Sequence, residues 1–403
     1  MSDDSTRAVV IGGNSDVLRV ARSEGIPVIL VHDSRRPNFD PDMPGLVEEF
    51  HDLDFHHNYA AVERCVLGLA LHQPISTVLS LDEDGLVAAA RLTAALGLSG
   101  NSVPTVHAAM HKPTMRAIMR RDRLPTLGFA TCTSRAELLA AVAEFGGEAV
   151  AKPVDSTGSR DVHYVNPDNA SAVFAELETA GYEQILVEER AHGHEFSIDT
   201  LTIGGSHFVI AVTRKHMVGR LEAGHSIPGE LGEFADAAFD LVFNLLDALR
   251  VVSGAAHTEI MITDRGPAVI ETQTRIGGSR LPELMRLASG IEITYLALLT
   301  AVGRLRRTGF ALNVRPGAGG AAVRYFLPPA GRIVSIKGTE PFVRRPDLRL
   351  NFKSTVGDTV VKQTDSHQRN AVGMYVVAEG DSEKDAIRKC EEVLDAVTIE
   401  VEG

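Results

Sequence analysis

Residues 255–278 read Ala-Ala-His257-Thr-Glu259-Ile-Met-Ile-Thr-Asp264-Arg265-Gly266-Pro-Ala-Val-Ile-Glu271-Thr-Gln273-Thr-Arg275-Ile-Gly277-Gly278. The spacing predicts a hairpin, with strands at 255–263 and 267–272 and Asp264-Arg265-Gly266 as its turn. Antiparallel pairing would bring Glu259 and Glu271 within several ångströms of each other. Two such hard oxygen donors suit Mg²⁺. Gln273 follows Glu271 by two residues and therefore shares its face, as His257 shares that of Glu259. Alone, Glu259 reads as a solvated acid. Acid–x–amide–x–Arg–x–Gly-Gly leaving a strand reads as a metal-phosphate site, with Glu259, Glu271 and Gln273 as its metal-ligand candidates.

Working upstream, two lysines stand in different settings. Lys112 opens a helical, basic stretch, His111-Lys112-Pro113-Thr114-Met115-Arg116. Lys152 ends the apolar strand Val150-Ala151-Lys152-Pro153, just before the small polar loop that contains Ser156-Thr157-Gly158-Ser159. A strand-end lysine beside such a loop can hold phosphate by point charge and backbone N–H groups. A third stretch, Leu186-Val187-Glu188-Glu189-Arg190-Ala191-His192-Gly193-His194-Glu195, carries an apolar strand into acids and a glycine. Backbone exposed at such a strand end can pair with an adenine edge, and a carboxylate such as Glu195 can take two ribose hydroxyls.

The rest of the chain supplies a frame. Ala8–Ile11, the turn Gly12-Gly13-Asn14-Ser15, a helical pattern and Val28–Val31 form a βαβ unit with parallel strands. Thr77–Ser80 and a helix over 84–96 continue it. The turn is not a GxGxxG fingerprint, and Asp33 is the one acid near the end of the second strand. It therefore reads as a tight turn before a helix. Helices are expected at 134–145, 169–180, 231–250, 282–289 and 291–302, and paired antiparallel strands at 196–203 and 208–214. After Arg307, Gly317-Ala318-Gly319-Gly320 opens a strand-rich segment that closes with a helix over 381–396 and a strand over 397–401. The division expected is 1–98, a small open α/β domain; 99–185 and 186–307, the parts that hold the loop and the hairpin; and 308–403, an α+β cap. His56-His57, Cys132 and the stripe Leu241–Leu249 read as structural.

Composition narrows the function classes. The 403 residues carry 40 Lys+Arg against 53 Asp+Glu, a net charge of −13 that disfavours binding to a phosphate backbone. Cys65, Cys132 and Cys390 are scattered, which excludes a disulfide framework or a Cys-type zinc site and predicts a reducing cytoplasm. No apolar run approaches the roughly 20 residues of a membrane span. The polar Met-Ser-Asp-Asp-Ser stretch does not read as a signal peptide.

Lys112 with Met115-Arg116, Lys152-Pro153 with Ser156–Ser159, Glu188-Glu189 with Gly193 and Glu195, then Glu259, Glu271, Gln273, Arg275 and Gly277-Gly278 together resemble the ATP-grasp superfamily. The resemblance covers roughly residues 1–310. Glu222-Ala223-Gly224-His225-Ser226-Ile227-Pro228 and the tail Ala321–Ile336 are similar to the carboxylate–amine ligases of that superfamily, which include bacterial L-amino acid ligases and dapdiamide-type synthetases. The resemblance implies an ATP-grasp fold in a multidomain α/β and α+β chain. It implies that Lys112, Lys152 and the loop of Ser156, Thr157, Gly158 and Ser159 contact ATP phosphates. Glu188 and the backbone of Glu189 through Ala191 would hold adenine, with Glu195 on the ribose. Glu259 and Glu271 would bind Mg²⁺, with Mn²⁺ as a substitute, and Arg275 would face the transferred phosphoryl group or the substrate carboxylate. The family usually has Asn at Gln273 and often Pro at Thr274.

Function follows as an expectation. ATP would activate an amino acid carboxylate as an acyl phosphate, which an amine attacks; Mg²⁺ and cations offset the assembled anionic charge. The partners would be those two small molecules, with no nucleic acid and no membrane, and a homodimer is left open. His225 has two readings, substrate positioning or amine-proton acceptance against a structural loop histidine. His257 also has two, an oxyanion partner against a packed strand residue. Two other functions compete: a purine-type or biotin-dependent carboxylating enzyme that activates bicarbonate, and a nucleotide-sensing protein with a degenerate site.

Overall fold

The computed structural model describes residues 7–154, 156–312 and 319–403. The N-terminal Met-Ser-Asp-Asp-Ser, Asp155 of the polar loop and Gly317-Ala318 lie outside them.

The expected βαβ unit is part of a four-stranded parallel sheet in the order Glu49–Asp52, Val28–His32, Arg7–Ile11, Ile75–Leu79. Val28–His32 is buried along its whole length, as apolar strands covered by helices on both faces must be. Gly12 has φ +64°, and a Cβ there would lie 2.8 Å from Phe55. The Gly-Gly turn is thus a structural corner seated on an aromatic ring. Asn14 caps the helix Ser15–Ser23 by accepting from the Asp16 N–H.

A second sheet is antiparallel, in the order Phe129–Cys132, Ile185–Glu189, Ala149–Pro153, His163–Val165. Helices Arg135–Glu144 and Ala170–Thr179 bury Leu138, Val142, Val173 and Leu177 against it, together with Cys132. Cys132 is therefore a core residue, as read. The sheet delivers Lys152 at the end of one strand and Glu188 near the end of its neighbour.

The third sheet has eight strands, in the order Gly266–Gln273, Ser253–Thr263, His194–Ile203, Ser206–Val218, Leu221–Ile227, Gly320–Tyr325, Met374–Gly380, Leu348–Phe352. The hairpin of the two glutamates forms one end of it. Helix Ala235–Ala248 packs Leu241, Val242, Leu245 and Leu246 beneath that end, giving the structural stripe its burial. Such side chains contribute about 1.5–3 kcal/mol each by leaving water.

The C-terminal segment does not stand apart as a separate cap sheet. Ile227 pairs with Ala321 and Gly224 with Arg324, so three C-terminal strands continue the eight-stranded sheet. A smaller sheet, Thr359–Val360, Gly331–Lys337 and Thr398–Glu402, completes that end. Leu221–Ile227 is a strand, so His225 lies in the sheet and not in the loop that the sequence suggested.

Candidate active site

Glu259 stands directly opposite Glu271, and His257 opposite Gln273. The register shifts between Glu259 and Ile260, leaving Ile270 as an extra residue between Val269 and Glu271. The carbonyl that this bulge turns away from the ladder accepts from Arg116 Nη2 at 3.0 Å. Bulge and arginine together aim the two glutamates into a cleft of about 310 Å³.

Every site residue expected from the sequence lines this one cleft except Gln273, which is 3% exposed and donates to Glu83 of the lining. Three sheets contribute. Lys112, at the start of helix Lys112–Arg121, donates to the Ser156 carbonyl at 2.8 Å and lies 3.3 Å from Glu271 Oε2. Thr157 and Gly158 of the loop close against the C-terminal helix Ser366–Val372. The Ser366 N–H donates to Gly158 O at 2.9 Å, and His367 Nε2 lies 3.2 Å from Thr157 Oγ1. Gly158 sits at φ +64°, where a Cβ would come within 2.9 Å of His367.

Glu188 lines the cleft with its carboxylate already engaged inside the protein. It is 2% exposed, and its oxygens are taken by Arg116 Nε at 2.6 Å and Lys152 Nζ at 2.5 Å. Burial opposes its charge, yet the two cations outweigh burial and bring its carboxyl down to about 2. Glu188 is thus the internal counter-ion of these cations. Burial, reinforced by Arg116 and Lys112, pulls the Lys152 ammonium below its ordinary value against the pull of Glu188. An arriving phosphate would reverse that balance.

Lys215 was not singled out from the sequence. It lies 2.6 Å from Glu259, 3.5 Å from Glu222 and 3.8 Å from Glu195. Burial works against its ammonium, but the three carboxylates together raise it well above the ordinary lysine value. Glu259 is held far below the usual carboxylate range by Lys215 and His257 despite burial. Glu195 is raised, chiefly by burial and then by its acidic neighbours.

His257 places Nδ1 2.8 Å from Asp199 Oδ1 and Nε2 3.6 Å from Glu259. Burial would lower its pKa; Asp199 and Glu259 prevail and lift it to about 9. Gly277 explains itself here, since a Cβ would sit 2.8 Å from His257 Nδ1 and 3.0 Å from Asp199 Oδ1. His225 Nε2 is 2.9 Å from Glu222 Oε1 but outside hydrogen-bond alignment, so that contact is coulombic. Glu222 also accepts from Arg369 at 2.7 Å and Ser279 at 2.8 Å.

Two further residues escaped sequence reading. Glu83, at the end of the parallel sheet, accepts from Arg275 and Gln273. Arg369 belongs to the C-terminal helix that meets the loop. Neither Glu83 nor Lys215 had a local signal, because each lies in an ordinary polar stretch. Glu222 had one, the segment 222–228.

The donor set fits a divalent cation. Glu259 and Glu271 offer opposed carboxylates. Gln273 donates its amide N–H to Glu83, which fixes the amide's orientation and leaves Oε1 buried without a partner. Among the described residues no three His, Cys, Asp or Glu side chains converge as a ready-made metal cluster, and each glutamate is instead engaged by a lysine.

The chain matches the ATP-grasp N-terminal domain family over residues 18–100, the ATP-grasp domain family over 112–279 and the L-amino acid ligase C-terminal domain 2 family over 324–402. It is 25% identical over 240 residues to an uncharacterised protein of Sinorhizobium fredii, covering 57% of this chain and 49% of that protein. It is 24% identical over 232 residues to dapdiamide A synthase of Enterobacter agglomerans, covering 52% and 53%. The chain spans about half the length of these two curated relatives. In fold it is similar to the L-amino acid ligase of Bacillus licheniformis, with a TM-score of 0.82, 24% identity and 99% of both chains covered.

Proposed function

We propose that this chain, which belongs to the ATP-grasp ligases, joins an amino acid carboxylate to an amine, releasing ADP and phosphate. The observation that carries the reading is one cleft that gathers Lys112 and Lys152, the opposed Glu259 and Glu271, Arg275, and the Glu222–His225–Arg369 group. A carboxylate is a poor electrophile, and phosphorylation makes it an acyl phosphate that an amine attacks. ATP, with a divalent cation on Glu259, Glu271 and Gln273, supplies the phosphoryl group and offsets its charge.

The chain's own residues do the rest. Lys112 and Lys152 bind phosphate oxygens, and the loop of Ser156 to Ser159 covers them. Arg275, held by Glu83, presents a guanidinium to the transferred group or the substrate carboxylate. His257, charged at neutral pH, stands beside Glu259 as an oxyanion partner. Burial of the cleft under the loop and the C-terminal helix excludes water that would hydrolyse the acyl phosphate. Residues 1–98, 99–185, 186–307 and 308–403 serve as the N-terminal domain, the two ATP-clamping lobes and the C-terminal part. We assign the reaction to the cytoplasm. Dipeptide or natural-product amide synthesis is the class favoured, supported by the likeness of the tail to the L-amino acid ligase domain.

An ADP-release screen over pairs of amino acids, with mass spectrometry of the product, tests this. ADP and phosphate in equal amounts with an amide are expected, and release requires both substrates. AMP with pyrophosphate as the main products would remove the mechanism. A bicarbonate requirement would replace amide formation with carboxylation, and nucleotide binding without turnover would indicate a sensor.

A further inference from the structure

A second cleft, of about 500 Å³, adjoins the first. It is lined by Arg190, Arg214, His216, Arg324, Ser226 and Glu391, among others. Strand alternation creates it. Lys215 faces Glu259, so its neighbours Arg214 and His216 project to the other side of the sheet. There Arg214 pairs in register with Ser226, while His216 and Arg324 both pair with Gly224. Gly224 has no side chain, and the Arg324 guanidinium occupies the space: a Cβ there would lie 2.8 Å from Arg324 Cδ and 3.0 Å from Nη1.

Arg324 is 4% exposed and has no carboxylate partner among the described residues. Its Nη1 donates to the carbonyls of His225 and Val323 at 3.2 and 3.0 Å, while Nε is buried with no acceptor. A buried guanidinium without an anion leaves its desolvation uncompensated. Arg214 is exposed and also lacks an ion pair among the described residues. Of the acids nearby, Glu383 accepts from Ser226 at 2.6 Å, Glu195 lines the cleft but lies 3.8 Å from Lys215, and Glu391 is exposed at the cleft. Burial pulls Arg324 below the ordinary arginine value, with Glu391 and Glu383 opposing it only in part and Arg214 adding to it. In a chain with 53 acids and 40 basic residues, two arginines without an ion pair among the described residues border one cleft, an arrangement suited to an anion from outside.

We propose that this cleft is a second oxyanion site, binding a phosphate group between Arg324 and Arg214, either free or carried by a phosphomonoester. A doubly charged phosphate matches two guanidiniums, where a single carboxylate would leave one uncompensated. Lys112, Lys152, Glu271 and Arg275 do not line it, so it is distinct from the site for ATP phosphates, although Arg190, Ala191, Glu195 and Lys215 border both clefts. The proposal is independent of the amide-forming reading.

Calorimetric titration with inorganic phosphate and with glycerol 3-phosphate, the first cleft saturated with Mg·ADP, tests it. Binding of one equivalent is expected, weakened about tenfold by Arg214→Gln, the loss of one charge-assisted hydrogen-bond partner. Arg214 is exposed, so its variant keeps the fold, and Arg324→Lys supplies the second arm. Equal affinities identify free phosphate as the ligand, and tighter binding of the ester identifies a phosphorylated metabolite. Absence of binding, binding abolished by Mg·ADP, or affinity unchanged by Arg214→Gln would overturn the proposal.

Discussion

Arg275 donates to a single oxygen of Glu83, from Nη2 at 2.7 Å and Nε at 3.2 Å, and Gln273 Nε2 donates to the other oxygen at 3.3 Å. One carboxylate from the turn Glu83–Gly85 thus orients both the arginine and the amide of the hairpin. Burial opposes the Arg275 charge, and Glu83, joined by Glu271 and Glu259, more than offsets it, raising its pKa.

Glu83→Gln removes that charge while keeping the shape. We expect Arg275, left partly buried without its partner, to lose orientation. ADP release should fall by roughly 10- to 100-fold, the equivalent of about 1.5–3 kcal/mol for a charged hydrogen-bonded pair. Steady-state assays with circular dichroism as a fold control check this. A turnover equal to that of the unmodified protein would show that Glu83 does not position Arg275.

Glu271→Ala should abolish ADP release while the fold persists. The residue lies at the rim of the hairpin, and its removal leaves no cavity in the apolar core. Turnover near the original level in a folded variant would remove the metal assignment.

Gln273 separates two roles by its Mg²⁺ dependence. Gln273→Asn keeps an amide oxygen and should retain activity. Gln273→Ala deletes the orphaned Oε1 and should raise the Mg²⁺ concentration needed for half-maximal rate. Superimposable Mg²⁺ curves for the Ala variant and the parent would show that the amide oxygen is not a ligand.

Gly277→Ala forces a methyl group against Leu281 Cδ1 at 2.6 Å, as well as against His257 Nδ1 and Asp199 Oδ1. Overpacking of this kind costs about 1–3 kcal/mol. Thermal unfolding should report that loss, and ADP release should fall with it because the His257–Asp199 pair is pried apart. Unchanged stability and rate would show that the segment after the strand gives way freely.

The Glu188 pair sets an acid limit. Its folded pKa, about 2 against 4.5 for a free carboxyl, is depressed. The stabilisation it carries is therefore complete above the ordinary carboxylate value and is lost as pH falls from about 4.5 to about 2. The shift amounts to about 3 kcal/mol, part of which the desolvated Lys152 ammonium gives back. Glu188→Gln should be less stable at neutral pH and flatter across that acid window, as denaturant titrations at several pH values would reveal. A parallel pH dependence in both proteins would refute the assignment.

Much of this molecule is written locally. The hairpin of 255–273 follows from alternating β-formers around Asp264-Arg265-Gly266, and that periodicity puts Gln273 on the face of Glu271 and His257 on that of Glu259, while the bulge at Ile270 brings the two pairs opposite each other. The parallel N-terminal sheet follows from apolar runs separated by a glycine turn and a helical repeat. Only the tertiary structure decided how the charges are partnered. Glu188 reads as an adenine contact until Arg116, 72 residues earlier, and Lys152 take both of its oxygens. Lys215 reads as one cation in a polar strand until three carboxylates from other strands surround it. Glu83 reaches Arg275 across 192 residues. The division has a physical cause. Strand period and turn chemistry act over a few neighbouring residues and are legible in sequence. Coulomb energy depends on distance and burial in space, which the chain acquires only when its sheets come together.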